Sequence, residues 1–241
     1  MSSETGVGGS SGGLAWLPWL LQTNDSIFPS GAYAHSFGLE GMTHLELVKD
    51  ATSLREFLFE TAIPALEQVD LPFVRHAYEA ARDGDGERLE YLDDCCAAMK
   101  GSRELRLASS RIGTQRLHML LQLGGSSPAL QHLEAARQAG RAEAHAAIVF
   151  GAQMAAQQTP LEAALIAYFY QALAAFVSAA MKLLRMGQMA AQTLLTECLA
   201  RAEGAARTAQ SVAVEDVGWF QPALDIASAQ HETAYTRIFI S

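Results

Sequence analysis

The chain has 241 residues, 50% of them apolar and 18% charged, which is ample apolar surface for a core and excludes a disordered or collagen-like class. Its 17 basic and 26 acidic residues leave a net charge of −9, and no run of Lys or Arg could neutralise a string of phosphates, which argues against nucleic-acid binding. The three cysteines, Cys95, Cys96 and Cys198, offer neither a disulfide framework nor the Cys-x-x-Cys spacing of a structural zinc site, and read as reduced packing residues of a cytoplasmic protein.

Met1 to Gly13 is rich in Gly and Ser, lacks Lys and Arg, and reads as a disordered leader rather than a signal peptide, which needs a basic start. Beyond it, Ala-rich segments with few Val or Ile and no two-residue alternation predict an all-α fold, a single compact bundle of about ten helices over 14–241. Helical segments are expected near 14–21, 37–47, 53–66, 71–82, 86–99, 103–121, 128–138, 141–157, 160–185, 187–203, 207–216 and 222–234. Ser53 with Glu56 and Thr159 with Glu162 read as capping boxes, the second with Pro160 at the first helical position. Asp70 before Leu71-Pro72 and Ser127 before Pro128 read as N-caps, and Gly140 as a helix stop. Ala163 to Met181 carries no charge and approaches the length of a membrane span. Its Ala content, broken by Gln171 and Ser178, reads instead as a buried central helix of the bundle, with no membrane involved.

Signatures of catalysis are missing from the sequence. There is no Gly-x-x-x-x-Gly-Lys-Ser/Thr loop to cradle phosphates, so the chain is not expected to hydrolyse GTP or ATP alone. The histidines His35, His44, His76, His118, His132, His145 and His231 form neither His-Glu-x-x-His nor Glu-x-x-His pairs, so no preformed metal site or cofactor is expected. Glu40 and His44, four apart, read as a hydrogen-bonded pair on a helix surface.

Three segments concentrate polar and aromatic residues around Gly and Pro. Phe28 to Glu40 carries a Pro29-Gly31 turn followed by His35, Ser36 and Glu40 beside Tyr33 and Phe37. On backbone chemistry alone this is a helix start whose Ser and His satisfy orphan groups. Glu104 to Arg116 places Arg103, Arg106 and Arg116 on a helix of small residues, where Gly113 permits close approach of another backbone and the arginines read as solvated or paired with local acids. The end of the chain, Gln230 to Ser241, is an aromatic-aliphatic strip with His231, Glu232, Tyr235, Arg237 and Phe239, the residue types that anchor interfaces. Composition leaves open whether it docks on its own body or on a partner.

Together these segments resemble the urease accessory protein UreF family. The resemblance rests on the Phe-Pro-x-Gly…His-Ser-x-Gly-Leu-Glu pattern of Phe28 to Glu40, on Glu104-Leu105-Arg106 with Ala108-Ser109, Gly113 and Arg116, and on His145 before Phe150-Gly151. Ala179 to Leu183 with Gly187-Gln188, and the final His231 to Ser241, complete it over about 14–241. The family implies an all-helical, non-enzymatic homodimer that binds UreD (also called UreH), recruits the GTPase UreG and delivers nickel to apo-urease. It implies partner-facing roles for His35, Ser36, Glu40, Arg106, Arg116, Tyr170, Lys182, Gln188, His231, Glu232, Tyr235, Arg237, Phe239 and Ser241. Two other roles are weighed beside it: an arginine supplied to a partner GTPase, from Arg106, Arg116 or Arg237, and a nickel carrier using His35, His44 or His231.

Overall fold

The computed structural model describes residues 13–241, so the leader expected over 1–13 lies outside the described residues apart from Gly13. Helices α1 (Trp16–Asn24) and α2 (Leu39–His44) flank a loop that holds one 3₁₀ turn, Ala32–Ala34. A helical rod follows over 51–83, in which α3 (Ala51–Phe57), α4 (Ile63–Ala65) and α5 (Leu71–Asp83) are joined by π-helical turns at Leu58–Ala62 and Leu66–Asp70. Then come α6 (Gly86–Ala98), α7 (Arg103–Gln122), α8 (Pro128–Gln138), α9 (Ala146–Ala156), α10 (Leu161–Leu183), α11 (Gln188–Leu199), α12 (Ala202–Ser211) and α13 (Pro222–His231). No strand occurs among the described residues, and the all-α expectation holds.

The rod corrects the expected break at residue 70. Asp70 has helical angles, φ −70° and ψ −44°, and caps nothing. Pro64 and Pro72 each follow a π turn, whose extra residue accommodates a ring that would otherwise meet the carbonyl four residues back. Pro72 cannot donate to the Gln68 carbonyl, and Gly218 N–H does so at 3.2 Å, tying the connection before α13 to the rod.

Two capping boxes also differ from expectation. Asp50, not Ser53, is the N-cap of α3: its carboxylate accepts from Ser53 N–H at 2.8 Å while Ser53 Oγ accepts from Asp50 N–H at 3.1 Å. The box sits one turn earlier because an aspartate reaches the third amide as well as a serine does. At α10 no side chain caps the start, and Thr159 Oγ1 is buried without a partner. Ser127 caps α8 as expected, and Gly140, at φ 72°, ends it.

The expected helix over 141–157 starts only at Ala146, because the preceding turn is held by an acid from another helix. Asp93 of α6 accepts the N–H groups of Glu143, Ala144 and His145 at 2.6, 3.0 and 2.7 Å, fixing Ala144 at φ +59°. The turn passes so close to α7 that a Cβ on Gly113 would lie 2.0 Å from the Ala144 carbonyl oxygen, the close approach expected of that glycine.

The helix enclosed on all sides is α9 rather than α10. Every residue from Ala147 to Met154 is buried, and Gly151 faces α5 so closely that a Cβ would lie 2.3 Å from the Val74 carbonyl oxygen. On α10, Leu165, Tyr168, Phe169, Leu173 and Phe176 face the core while Ile166, Tyr170, Ala174 and Ser178 remain partly or largely open. Half of its apolar stretch is buried against the body, so its lack of charge is in part a packing requirement. The helix expected over 187–203 ends at Leu199, and the one expected over 207–216 runs earlier, as α12, and is followed by a 3₁₀ turn at Val214–Asp216.

Candidate functional site

The first and last informative segments of the sequence meet. Behind α13 the chain turns and residues 235–241 lie along the 34–40 segment as a strap. Ile240 N–H donates to the Ala34 carbonyl at 2.9 Å, and Ser36 N–H donates to the Ser241 carbonyl. Side chains alternate along the strap: Phe239 and Ser241 point inward and are buried, while Ile238 and Ile240 point outward at 65% and 52% exposure. Ser241 Oγ lies 2.6 Å from His35 Nδ1 in a buried contact. Burial, and after it the nearby charge of Arg111, lower the His35 pKa, which favours the neutral ring sharing one hydrogen bond with the hydroxyl.

Glu40 carries the other half of the attachment. Only 1% exposed, it accepts from Ile238 N–H at 2.7 Å through Oε1 and from Phe239 N–H at 2.9 Å through Oε2. The same Oε2 lies 3.0 Å from His231 Nε2, and His231 Nδ1 lies 2.9 Å from Glu104 Oε1 on α7. Both ring nitrogens lie within hydrogen-bond distance of carboxylate oxygens, so both are committed to the two glutamates. Arg237 Nη1, 3.5 Å from Glu104 Oε1, brings a positive charge to the cluster. Each charge is affordable in the interior because its partners are present together. With both nitrogens committed, His231 has no lone pair for a metal; among the described residues no group of three or more His, Cys, Asp or Glu is placed to hold one.

Local sequence explains the geometry. Gly38, at φ 86°, and Phe37, at φ 54°, turn the chain sharply into α2 and aim Glu40 inward. Ser36 Oγ accepts from Glu40 N–H at 3.2 Å, the orphan-group role expected of that serine. Gly41 is required on the same helix, since a Cβ there would lie 2.4 Å from the Ala227 carbonyl oxygen of α13. Outside the cluster, Arg103 pairs with Glu232, and Lys182 Nζ sits 3.3 Å from the Tyr33 ring centroid and 4.9 Å from that of Phe239, clamping loop and strap together.

His35, Ser36, Glu40, Lys182, His231, Glu232, Arg237, Phe239 and Ser241 therefore form one assembly. Tyr235 stands fully exposed beside it. The remaining candidates lie elsewhere. Arg106 donates to the carbonyls of Lys100 and Gly101 at 2.6 and 3.2 Å, closing the turn before α7. Arg116 is 2% exposed, wedged between Phe28 and Phe150 and donating to Gln153 Oε1 at 2.6 Å; burial pushes its pKa down to about 9. Tyr170 opens from α10 and Gln188 from the start of α11. The Glu40 and His44 pair is not a surface bond: the carboxylate is buried and 3.9 Å from His44. Of the α7 arginines expected to be solvated or paired with local acids, Arg103 is solvated, its side chain 67% exposed, and its partner is the distant Glu232 rather than a local acid, while Arg116 is neither solvated nor paired with an acid. Glu104, central to the cluster, is not among the residues that the sequence singles out for partner contact; its place in the Glu104-Leu105-Arg106 motif is the one signal for it.

A family model described as UreF matches residues 48–199. The chain belongs to the UreF family. It is 31% identical over 225 residues to the urease accessory protein UreF of Paenarthrobacter aurescens (strain TC1), covering 92% of this chain and 96% of the relative. The corresponding protein of Arthrobacter sp. (strain FB24) is 32% identical over the same length. That of Rhodopseudomonas palustris (strain BisA53) is 31% identical over 242 residues and covers both chains completely. This UreF-family chain is thus a urease accessory protein, and its strap, beyond the family-model match, falls within the full-length similarity to the last relative.

Proposed function

We propose that the chain is a non-catalytic adaptor in urease maturation, which binds UreD (UreH) through the C-terminal strap and recruits the GTPase UreG for delivery of nickel to apo-urease. The nickel is cargo, and the chain works in the cytoplasm as a homodimer. The observation that carries this reading is the strap itself. Its backbone and inward residues are held by buried polar contacts, while Tyr235, Ile238 and Ile240 stand exposed to solvent. The partners named are those that the resemblance to the family implies. The open face of α10, with Ile166, Tyr170 and Ala174, supports the two-fold contact.

Coexpression with UreD and UreG, followed by size-exclusion mass measurement, tests the reading. The full chain should co-elute with both, and a chain ending at Ala229 should lose UreD. Retention of UreD by the shortened chain would refute the role of the strap. The second reading, an arginine lent to the GTPase, narrows to Arg237, whose side chain is 40% exposed, because Arg116 is enclosed and Arg106 is committed to carbonyls. An Arg237→Lys chain that leaves UreG phosphate release unchanged would remove it.

A further inference from the structure

A cavity of about 140 Å³ lies between the rod, α10 and α13, with walls of Val69, Tyr168, Phe176 and Leu224. A single water needs ~10–15 Å³ of such space, so the cavity has room for a short alkyl chain. Three charged residues line it: Asp70, Lys100 and Asp225. Lys100 Nζ is 3.2 Å from Asp70 Oδ1 and that pair cancels, whereas Asp225 has no ion pair or side-chain hydrogen bond among the described residues. Its carboxyl lies directly over Gly101, where a Cβ would meet it at 2.8 Å, so the glycine makes the space it occupies. Burial alone raises the Asp225 pKa, in keeping with a carboxylate that has no cation beside it. Gln221 adds a second unused acceptor, since its Oε1 is buried without a partner and also lines the cavity. At the mouth stand Met99 and Trp219, each nearly half exposed.

An apolar channel with a net single negative charge and two unused acceptors lacks a donor that is also a cation. We propose that this cavity receives a lysine side chain from a partner chain, its alkyl stem against the walls and its ammonium on Asp225 and Gln221. A lysine has three donors and no acceptor, which matches the vacant positions, and the Trp219 face can add a cation–π contact as the chain enters. The net charge of −9 draws a basic partner surface toward the mouth. The proposal rests on the adaptor reading only for the source of the lysine, and neither Asp225 nor Gln221 belongs to the strap.

The test titrates Nα-acetyl-lysine methylamide and n-butylammonium into the full chain and follows the indole N–H of Trp219 by NMR, assigned by its loss in Trp219→Phe. Both amines should give a saturable shift, n-butanol should bind at least tenfold more weakly, and n-butyrate should give none. Asp225→Asn should weaken both amines at least tenfold with the thermal midpoint held, and Gly101→Ala, which displaces the carboxyl, should do likewise. Equal binding of butanol and butylammonium, an undiminished response in Asp225→Asn, or binding of butylammonium without the lysine derivative would each overturn the proposal. Because UreD capture by the strap is read separately, failure here leaves the adaptor reading standing, and loss of UreD capture leaves this site testable.

Discussion

The contact of α9 with α5 and the contact of the C-terminal strap with the 34–40 segment are both buried, yet they are held by opposite means. The first is shape: Gly151 against the Val74 carbonyl, with Ile148, Phe150 and Met154 fully enclosed and gaining from removal of apolar area from water. The second is polar: two carboxylates, an imidazole and a guanidinium that are tolerable only as a set. A core built on shape loses stability in proportion to misfit. A strap built on paired charge lets go when one member is removed, so it can be a switchable surface on an otherwise rigid body.

The largest effect that separates the two regions is expected from Glu40→Ala, which leaves His231 and two strap amides without their acceptor. Losing one member of a buried ionic set costs about 3–5 kcal/mol, and here it should fall on the strap: hydrogen exchange at 238–241 should accelerate while the urea midpoint of the remaining helices holds. A drop in the global midpoint with protected strap amides would break the distinction.

Acid should reach the shape-built region through His145, at the start of α9. Its ring is fully buried, neither ring nitrogen has a hydrogen-bond partner although Glu143 Oε2 lies 3.6 Å from Nε2, and burial pushes its pKa down to about 4. The unfolded chain, with a histidine of ordinary pKa near 6.5, takes up the proton first. The contribution is therefore intact above pH 6.5 and lost as the pH falls toward 4, by up to ~3 kcal/mol. His145→Leu should flatten the difference in stability across that window, as read by chemical denaturation at each pH. An unchanged slope would show that the ring is solvated.

Next in size, Gly151→Val should cost about 1–3 kcal/mol by forcing α9 from α5, seen as a lowered urea midpoint with strap exchange changing only in step with it. The smallest effect is Lys182→Met, which removes a partly exposed clamp worth ~0.5–1 kcal/mol and should modestly raise strap exchange alone.

Much of this architecture was legible in the sequence. Apolar periodicity and Ser127, Gly113 and Gly140 marked helices, a close approach and a stop, and the motif around His35 to Glu40 pointed to one side of the site. What was hidden depended on contacts across the chain. Pro72 reads as a helix start until a π turn and the Gly218 amide compensate for it. The turn before α9 reads as helix until Asp93, some fifty residues away, takes its amides. Glu104 reads as an ordinary first-turn acid, because its partner His231 lies 127 residues on. Charge that is satisfied locally leaves a pattern in the sequence; charge that is satisfied at a distance does not.

On the proposed reading the strap's outward edge, and not merely its presence, binds UreD. Affinity for UreD measured by calorimetry with Ile238→Asp and Ile240→Asp together tests it most directly, since both side chains face solvent and the inward cluster is untouched. A loss of about 100-fold is expected, the scale of an interface hot spot, with the chain's thermal midpoint unchanged. An undiminished affinity would contradict it.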